Sequence, residues 1–177
     1  MKEEGLVNHF ILEVFPWTST TALQALKCGY TKGIVEGFIY YFNPLQRFVS
    51  NKLWELMNKQ KVTQIAFRTV GGDPVYRLHV VSGGAWKEYI QQRAVEVVSI
   101  FERSGVESWI EFCVRFAFSF ENVHATVGST CHVENLNEFL NATHDIRPLS
   151  TEIIEEIVRL QYRWSEETDM KAELLSI

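Results

Sequence analysis

Gly128, Ser129 and Thr130 stand side by side, between an apolar run, Val123 to Val127, and a stretch with helical spacing that begins around His132 and reaches Leu140. A glycine and two hydroxyl residues at the mouth of a helix place backbone N–H groups, and the positive end of the helix dipole, where an anion can sit. The chemistry this offers is phosphate binding. The same residues also serve as a plain turn and N-cap, the commoner use of the pattern. The elements around the turn decide between the two.

Other reactive side chains carry weaker signals. Cys28, Cys113 and Cys131 are odd in number and widely spaced, which fits reduced thiols in a cytoplasmic protein better than a disulfide framework. Cys131 and His132 are adjacent, so their side chains diverge, and a thiol in a turn is expected there rather than a metal ligand. No metal site is expected. Asn141-Ala142-Thr143 matches a glycosylation acceptor, but without a secretory signal it is only a short polar pattern.

The 177 residues, 46% hydrophobic and 22% charged, suffice for one sizeable core. The net charge of −5 with scattered Lys and Arg argues against nucleic acid as a partner. No apolar run approaches the roughly 20 residues that cross a bilayer, and Met1-Lys2-Glu3-Glu4 is unlike a signal peptide. A soluble protein with no membrane partner is expected.

Period and composition then place the elements. Residues 7–15, rich in Val, Ile and Phe, read as a buried strand ended by Pro16, and Thr18 to Thr21 cap a short helix carrying Ala22, Leu23, Ala25 and Leu26. Ile34 to Phe42 reads as a second strand; Asn43-Pro44 then turns the chain into a helix with Val49, Leu53, Leu56 and Met57 on one face. Val62 to Val70 reads as a third strand. Strand starts at 7, 34 and 62 give a βα repeat of the length used by parallel sheets and barrels. Residues 73–84, with their glycines and Pro74, read as a loop. Trp86 to Phe101 and Trp109 to Phe118 read as helices feeding a fourth strand at 123, and a last helix from Ser150 shows Ile153, Ile157, Leu160 and Trp164 along one face.

Four parallel βα units result. A closed (β/α)8 barrel needs about 250 residues, so an α/β half-barrel or an open sheet is expected. One domain is expected over residues 1–165, with an insert near 73–106 and a loosely held polar tail at 166–177.

Several segments resemble the C-terminal half of the aldo/keto reductases. KEEGLVNHF is similar to the entry into their fifth strand, and the strand ending in Phe42-Asn43-Pro44-Leu45 resembles their sixth. QIAFRTVGG resembles the seventh, and VRFAFSFENVHATVGSTCHVENLNEFLNAT followed by PLSTEIIEEI resembles the final helix, eighth strand, phosphate turn and closing helices. The resemblance spans residues 2–160. It implies an oxidoreductase that reduces carbonyls with NADP(H), with Gly128, Ser129 and Thr130 at the adenosine-side phosphate, Glu138 toward the adenine and Phe67 stacked on the nicotinamide. Arg68 would lie near the cofactor from the third strand.

The departures bear on function. Where the family holds the nicotinamide carboxamide with Ser, Asn and Gln, this chain has Glu13, Val14 and Ile39; Phe139 replaces an asparagine beside the adenine-contacting acid. An amide facing Val and Ile leaves buried donors unpaired, at about 1–3 kcal/mol each. The family's catalytic Asp, Tyr, Lys and His come from its first four strands, which would precede Met1. Tyr40, Tyr41 and His9 have no lysine-aspartate partner placed by a motif and read as core or rim residues.

Two functional expectations follow. One is a truncated or split reductase half that carries the adenosine side of an NADP(H) site and is inert alone. The other is a non-catalytic interaction or regulatory subunit on the same scaffold. Either leaves apolar edges that a second copy or a separate N-terminal half-barrel chain would cover.

Overall fold

A run of Phe and Tyr in Gly37–Asn43 makes the central strand, β2. Strand β1 (Ile11–Glu13) lies parallel to it on one side and β4 (Thr63–Phe67) on the other, and β5 (Val123–Val127) lies parallel beyond β4, in the order β1-β2-β4-β5. The computed structural model describes residues 4–29, 34–70, 86–128, 130–144 and 146–175. The loop expected over 73–84 and the turn residue Ser129 lie outside them.

Helices connect the parallel strands. Helix α1 (Ser19–Lys27) buries Ala22, Leu23 and Leu26 and joins β1 to β2. Helix α2 (Asn51–Lys59) starts at Ser50, whose hydroxyl accepts the Leu53 N–H at 3.3 Å, and buries Leu53, Trp54 and Met57. It closes into β4 within three residues because Lys61 takes a left-handed φ of 52° and Val62 donates its N–H to Met57 O at 2.9 Å. After α3 (Trp86–Arg103), helix α4 (Trp109–Phe118) begins at an N-cap serine, Ser108, whose hydroxyl accepts the Glu111 N–H at 3.1 Å. Helix α5 (Val133–His144) follows β5, and α6 (Thr151–Leu175) completes the order.

Side chains alternate across the sheet, as the two-residue period of a strand demands. Phe38, Tyr40, Phe42, Gln64 and Ala66 point to the helix side and are buried. There they meet Leu53, Met57, Phe112, Phe116 and Ile157 in one core. Ile39, Tyr41, Ile65 and Phe67 point to the opposite face and are half-buried. Register carries that face outward through Ile11 and Glu13 on β1 and through Ala125 and Val127 on β5, past an irregularity at Gln64/Ile65.

Helices α3 and α6 pack on each other and close over the turn that follows β2. A two-residue strand, β3 (Gln46–Arg47), folds back antiparallel on Phe42 and Asn43. The Arg47 guanidinium is buried between two rings, 4.5 Å from the Trp54 centroid and 4.7 Å from Tyr162. Arg93 stacks on Trp164 at 4.5 Å and donates to Leu45 O at 3.0 Å, and Gln161 Nε2 donates to Asn43 O at 2.9 Å.

Four βα units in a parallel sheet agree with the α/β half-barrel expected from the repeat. The first strand needs correction. Residues 7–15 were expected to form a buried strand, yet only Ile11–Glu13 pairs, and all three residues are exposed. Their apolar character suits a buried strand, but β1 is the edge of the sheet, with β2 as its one neighbour. The second strand starts later than expected, at Gly37, and the third stops at Phe67, because Arg68 enters the left-handed region at φ 50°. Residues 166–175, expected as a loose tail, continue the backbone of α6 as helix.

Candidate functional site

The C-terminal ends of parallel strands collect side chains at one rim of the sheet, where open α/β sheets and barrels bind ligands. Here the rim carries Val14, Tyr41, Asn43, Phe67, Arg68 and Gly128. Register makes Tyr41 the partner of Phe67 and Phe67 the partner of Val127, so Arg68 and Gly128 leave neighbouring strands side by side.

Asn43 organises this rim. It is fully buried; its Oδ1 accepts the Leu45 N–H at 2.9 Å, making an Asx turn, and its Nδ2 donates to Arg68 O at 2.9 Å and Gln46 Oε1 at 3.2 Å. Held by its carbonyl, Arg68 turns its guanidinium over the Tyr41 ring, 5.1 Å from the centroid. The next residue, Thr69, donates to Ala66 O at 3.2 Å and shares a hydroxyl–hydroxyl hydrogen bond with Thr126, which ties the end of β4 to β5.

The open face below is aromatic. Phe67 meets Tyr41 edge-on at 5.2 Å, Tyr41 stacks on Phe48 at 5.0 Å, and Phe15 stacks on the exposed Trp17 at 4.9 Å. Flat rings beside a guanidinium can hold a planar, electron-poor or anionic group. Tyr41, expected as a core or rim residue, stands at the rim, where its ring meets the Arg68 guanidinium.

In the turn before α5, Thr130 accepts the His132 N–H at 3.1 Å, so its hydroxyl shapes the entry to α5. Gly128 lies against the Phe139 ring: a Cβ there would come to 3.4 Å from it. Glu138 accepts a hydrogen bond from the Ser108 hydroxyl and thereby ties α5 to the N-cap of α4. Ser108 was missed from sequence because its partner lies 30 residues along the chain. At the end of β1, Val14 is 1% exposed and turned into the helix layer, while Glu13 shares the open face with its register partner Ile39.

Among the described residues, no three His, Cys, Asp or Glu side chains group to hold a metal ion. Cys28 and Cys131 are exposed and Cys113 is buried. No described helix is long and apolar enough to cross a membrane.

No protein-family model and no curated protein matches the chain. Solved structures do. Aldo-keto reductase AKR11C1 from Bacillus halodurans matches in its apo form at 16% identity and a TM-score of 0.61, covering 90% of this chain and 53% of that one. Its holo form matches at 16% identity and a TM-score of 0.61, covering 90% and 52%. The chain therefore spans about half the length of these structures. Its four βα units have the fold of an aldo-keto reductase half, with the sheet open.

Proposed function

We propose that this chain supplies the adenosine-phosphate side of an NADP(H) site on an aldo/keto reductase scaffold. The observation that supports it is the register of β4 on β5, which pairs Phe67 with Val127 and so brings Arg68 beside Gly128. Gly128, Thr130 and the first N–H groups of α5 would receive a phosphate, with Ser129 between them by resemblance. Arg68 supplies a cation for a second phosphate. Glu138 would accept from the adenine only by sharing the contact it makes with Ser108.

The two ends of the cofactor fit unequally. The phosphate end meets a turn, a helix N-terminus and an arginine. The nicotinamide end meets Phe67 but no carboxamide partner at Val14 or Ile39, so no hydride step is derived in this chain. When bound in a complete barrel, the cofactor would supply hydride for carbonyl reduction; this chain's part is to bind and orient its adenosine end.

Calorimetric titration tests the reading. 2′,5′-ADP is expected to bind, and NADPH to bind no more than a few-fold tighter, since the nicotinamide end adds little. Arg68→Ala is expected to weaken 2′,5′-ADP by about tenfold or more, the scale of a hydrogen bond to a charged group, while 5′-AMP changes less. If neither nucleotide binds, the site reading fails and a non-catalytic interaction subunit remains. That alternative draws support from Val14, Phe139 and the Glu138–Ser108 contact, all spent on packing.

A further inference from the structure

Both ends of the sheet carry an unmet surface, and the two differ in kind. At the β1 end, Leu12 points to the helix side in register with Phe38, yet is 39% exposed, because no described helix covers β1 from outside. At the β5 end, the reverse holds. Helix α5 packs on α4, but Val133, Leu136 and Leu140, spaced i, i+3 and i+7 along one stripe, are 66%, 46% and 48% exposed. One end is a strand lacking its outer helix; the other is a helix lacking the next strand.

We propose that a second copy of this chain closes the sheet, with β5 and α5 of each copy seated on β1 of the other. In a parallel βα array the helix after one strand packs across to the next strand. The stripe of α5 would then cover Leu12 of the facing copy, and Val127 would lie beside Ile11. A two-fold axis along the strands keeps every strand parallel and uses both edges in each copy, so the contact closes rather than propagating. Four strands from each copy make eight, the number that closes a barrel whose interior is filled by side chains. Parallel sheets are otherwise covered on both faces.

The size is adequate. With strands about 4.8 Å apart and roughly 17 Å long, the inner face covers roughly 300 Å². The two edges, each about one helix wide, bring the footprint to roughly 650 Å² per copy, close to the about 800 Å² per partner of stable interfaces.

The inference rests on the fold and is read without nucleotide, so it can fail while the cofactor reading stands, and the reverse. Light scattering of the purified chain should give twice its 20.5 kDa. Leu12→Lys and Leu136→Glu should each give monomers with unchanged far-ultraviolet circular dichroism. Mixing the two variants should restore the dimer, since one junction is then native and the other pairs lysine with glutamate. Hydrogen exchange on the unaltered chain needs no variant: amides of β1 and β5 should slow as concentration rises. A monomeric chain, open-ended larger assemblies, dimers that survive Leu12→Lys, variants that do not rescue each other, or exchange independent of concentration would each overturn the proposal. A monomer would hand the open face to a different chain.

Discussion

The side-chain amide of Asn43 donates to the backbone carbonyl of Arg68 at 2.9 Å and joins the C-terminal ends of β2 and β4. Arg68 is thereby held at φ 50°, a conformation that residues other than Gly, Asn and Asp seldom adopt. Two strand ends 25 residues apart in sequence are locked into one rim by a single buried amide.

Asn43→Ala removes that amide and the acceptor of the Leu45 N–H together. Leaving buried partners unsatisfied costs about 2–4 kcal/mol in total, a fall of roughly 5–15 °C in melting temperature for a chain of this length. Arg68→Gly relieves the left-handed backbone while losing a cation–π contact of about 0.5–1 kcal/mol. Its melting temperature should stay within about 3 °C of the parent. Thermal denaturation followed by circular dichroism measures both; an Asn43→Ala variant as stable as Arg68→Gly would show that the rim is held by something else.

Gly37 sits where β2 passes β4. A Cβ there would come to 2.6 Å from the Thr63 carbonyl oxygen and 3.1 Å from Ile11 Cδ1. Backbone must move to admit it, so Gly37→Ala is expected to cost about 2–3 kcal/mol. The urea midpoint should fall while the slope of the transition stays constant.

Ser108 and Glu138 separate structure from binding. Ser108→Ala deletes the N-cap of α4, the helix that buries Trp109, Phe112, Cys113 and Phe116, at about 1–2 kcal/mol. Glu138→Gln keeps an acceptor for the Ser108 hydroxyl, and stability should change by less than about 0.5 kcal/mol. If the carboxylate reaches adenine, the same substitution weakens 2′,5′-ADP several-fold. Unchanged affinity assigns Glu138 to the α4–α5 joint alone.

High pH should unfold the protein from the inside. Burial raises the Tyr40 hydroxyl well above its ordinary 10.0, against an opposing pull from the Arg47 charge, and the hydroxyl donates to Gln64. Above about pH 10 the unfolded chain releases this proton while the folded chain keeps it. The unfolded state then binds fewer protons, so stability falls with rising pH, by up to about 1.4 kcal/mol per pH unit for this group. Tyr162 is raised too, through burial and its hydrogen bond to Glu55, and acts in the same direction. Urea midpoints taken upward from about pH 10 should decline, with tyrosinate absorbance appearing together with unfolding. Tyr40→Phe should flatten the decline; an identical pH profile in that variant would remove Tyr40 from the account.

Much of the architecture was legible along the chain. Apolar spacing marked α4 over Trp109–Phe118, and the strand-helix rhythm marked four parallel units, because period and propensity are local properties. The strand before Gly128 was legible for the same reason: β5 runs over Val123–Val127, where the apolar run put it. The burial of Arg47 and Arg93 was not. An arginine reads as a solvated charge until Trp54, Tyr162 and Trp164, remote in sequence, come to face it.

By itself, then, the sequence determined the order of the elements, since neighbouring residues dictate it. The tertiary structure alone decided that residues 11–13 are an exposed edge, that Asn43 clasps Arg68, and that Glu138 meets Ser108. Each of these depends on which distant segments share a space. Burial and hydrogen bonding across the sheet are set by that sharing, and the order of residues in the chain does not carry it in any local pattern.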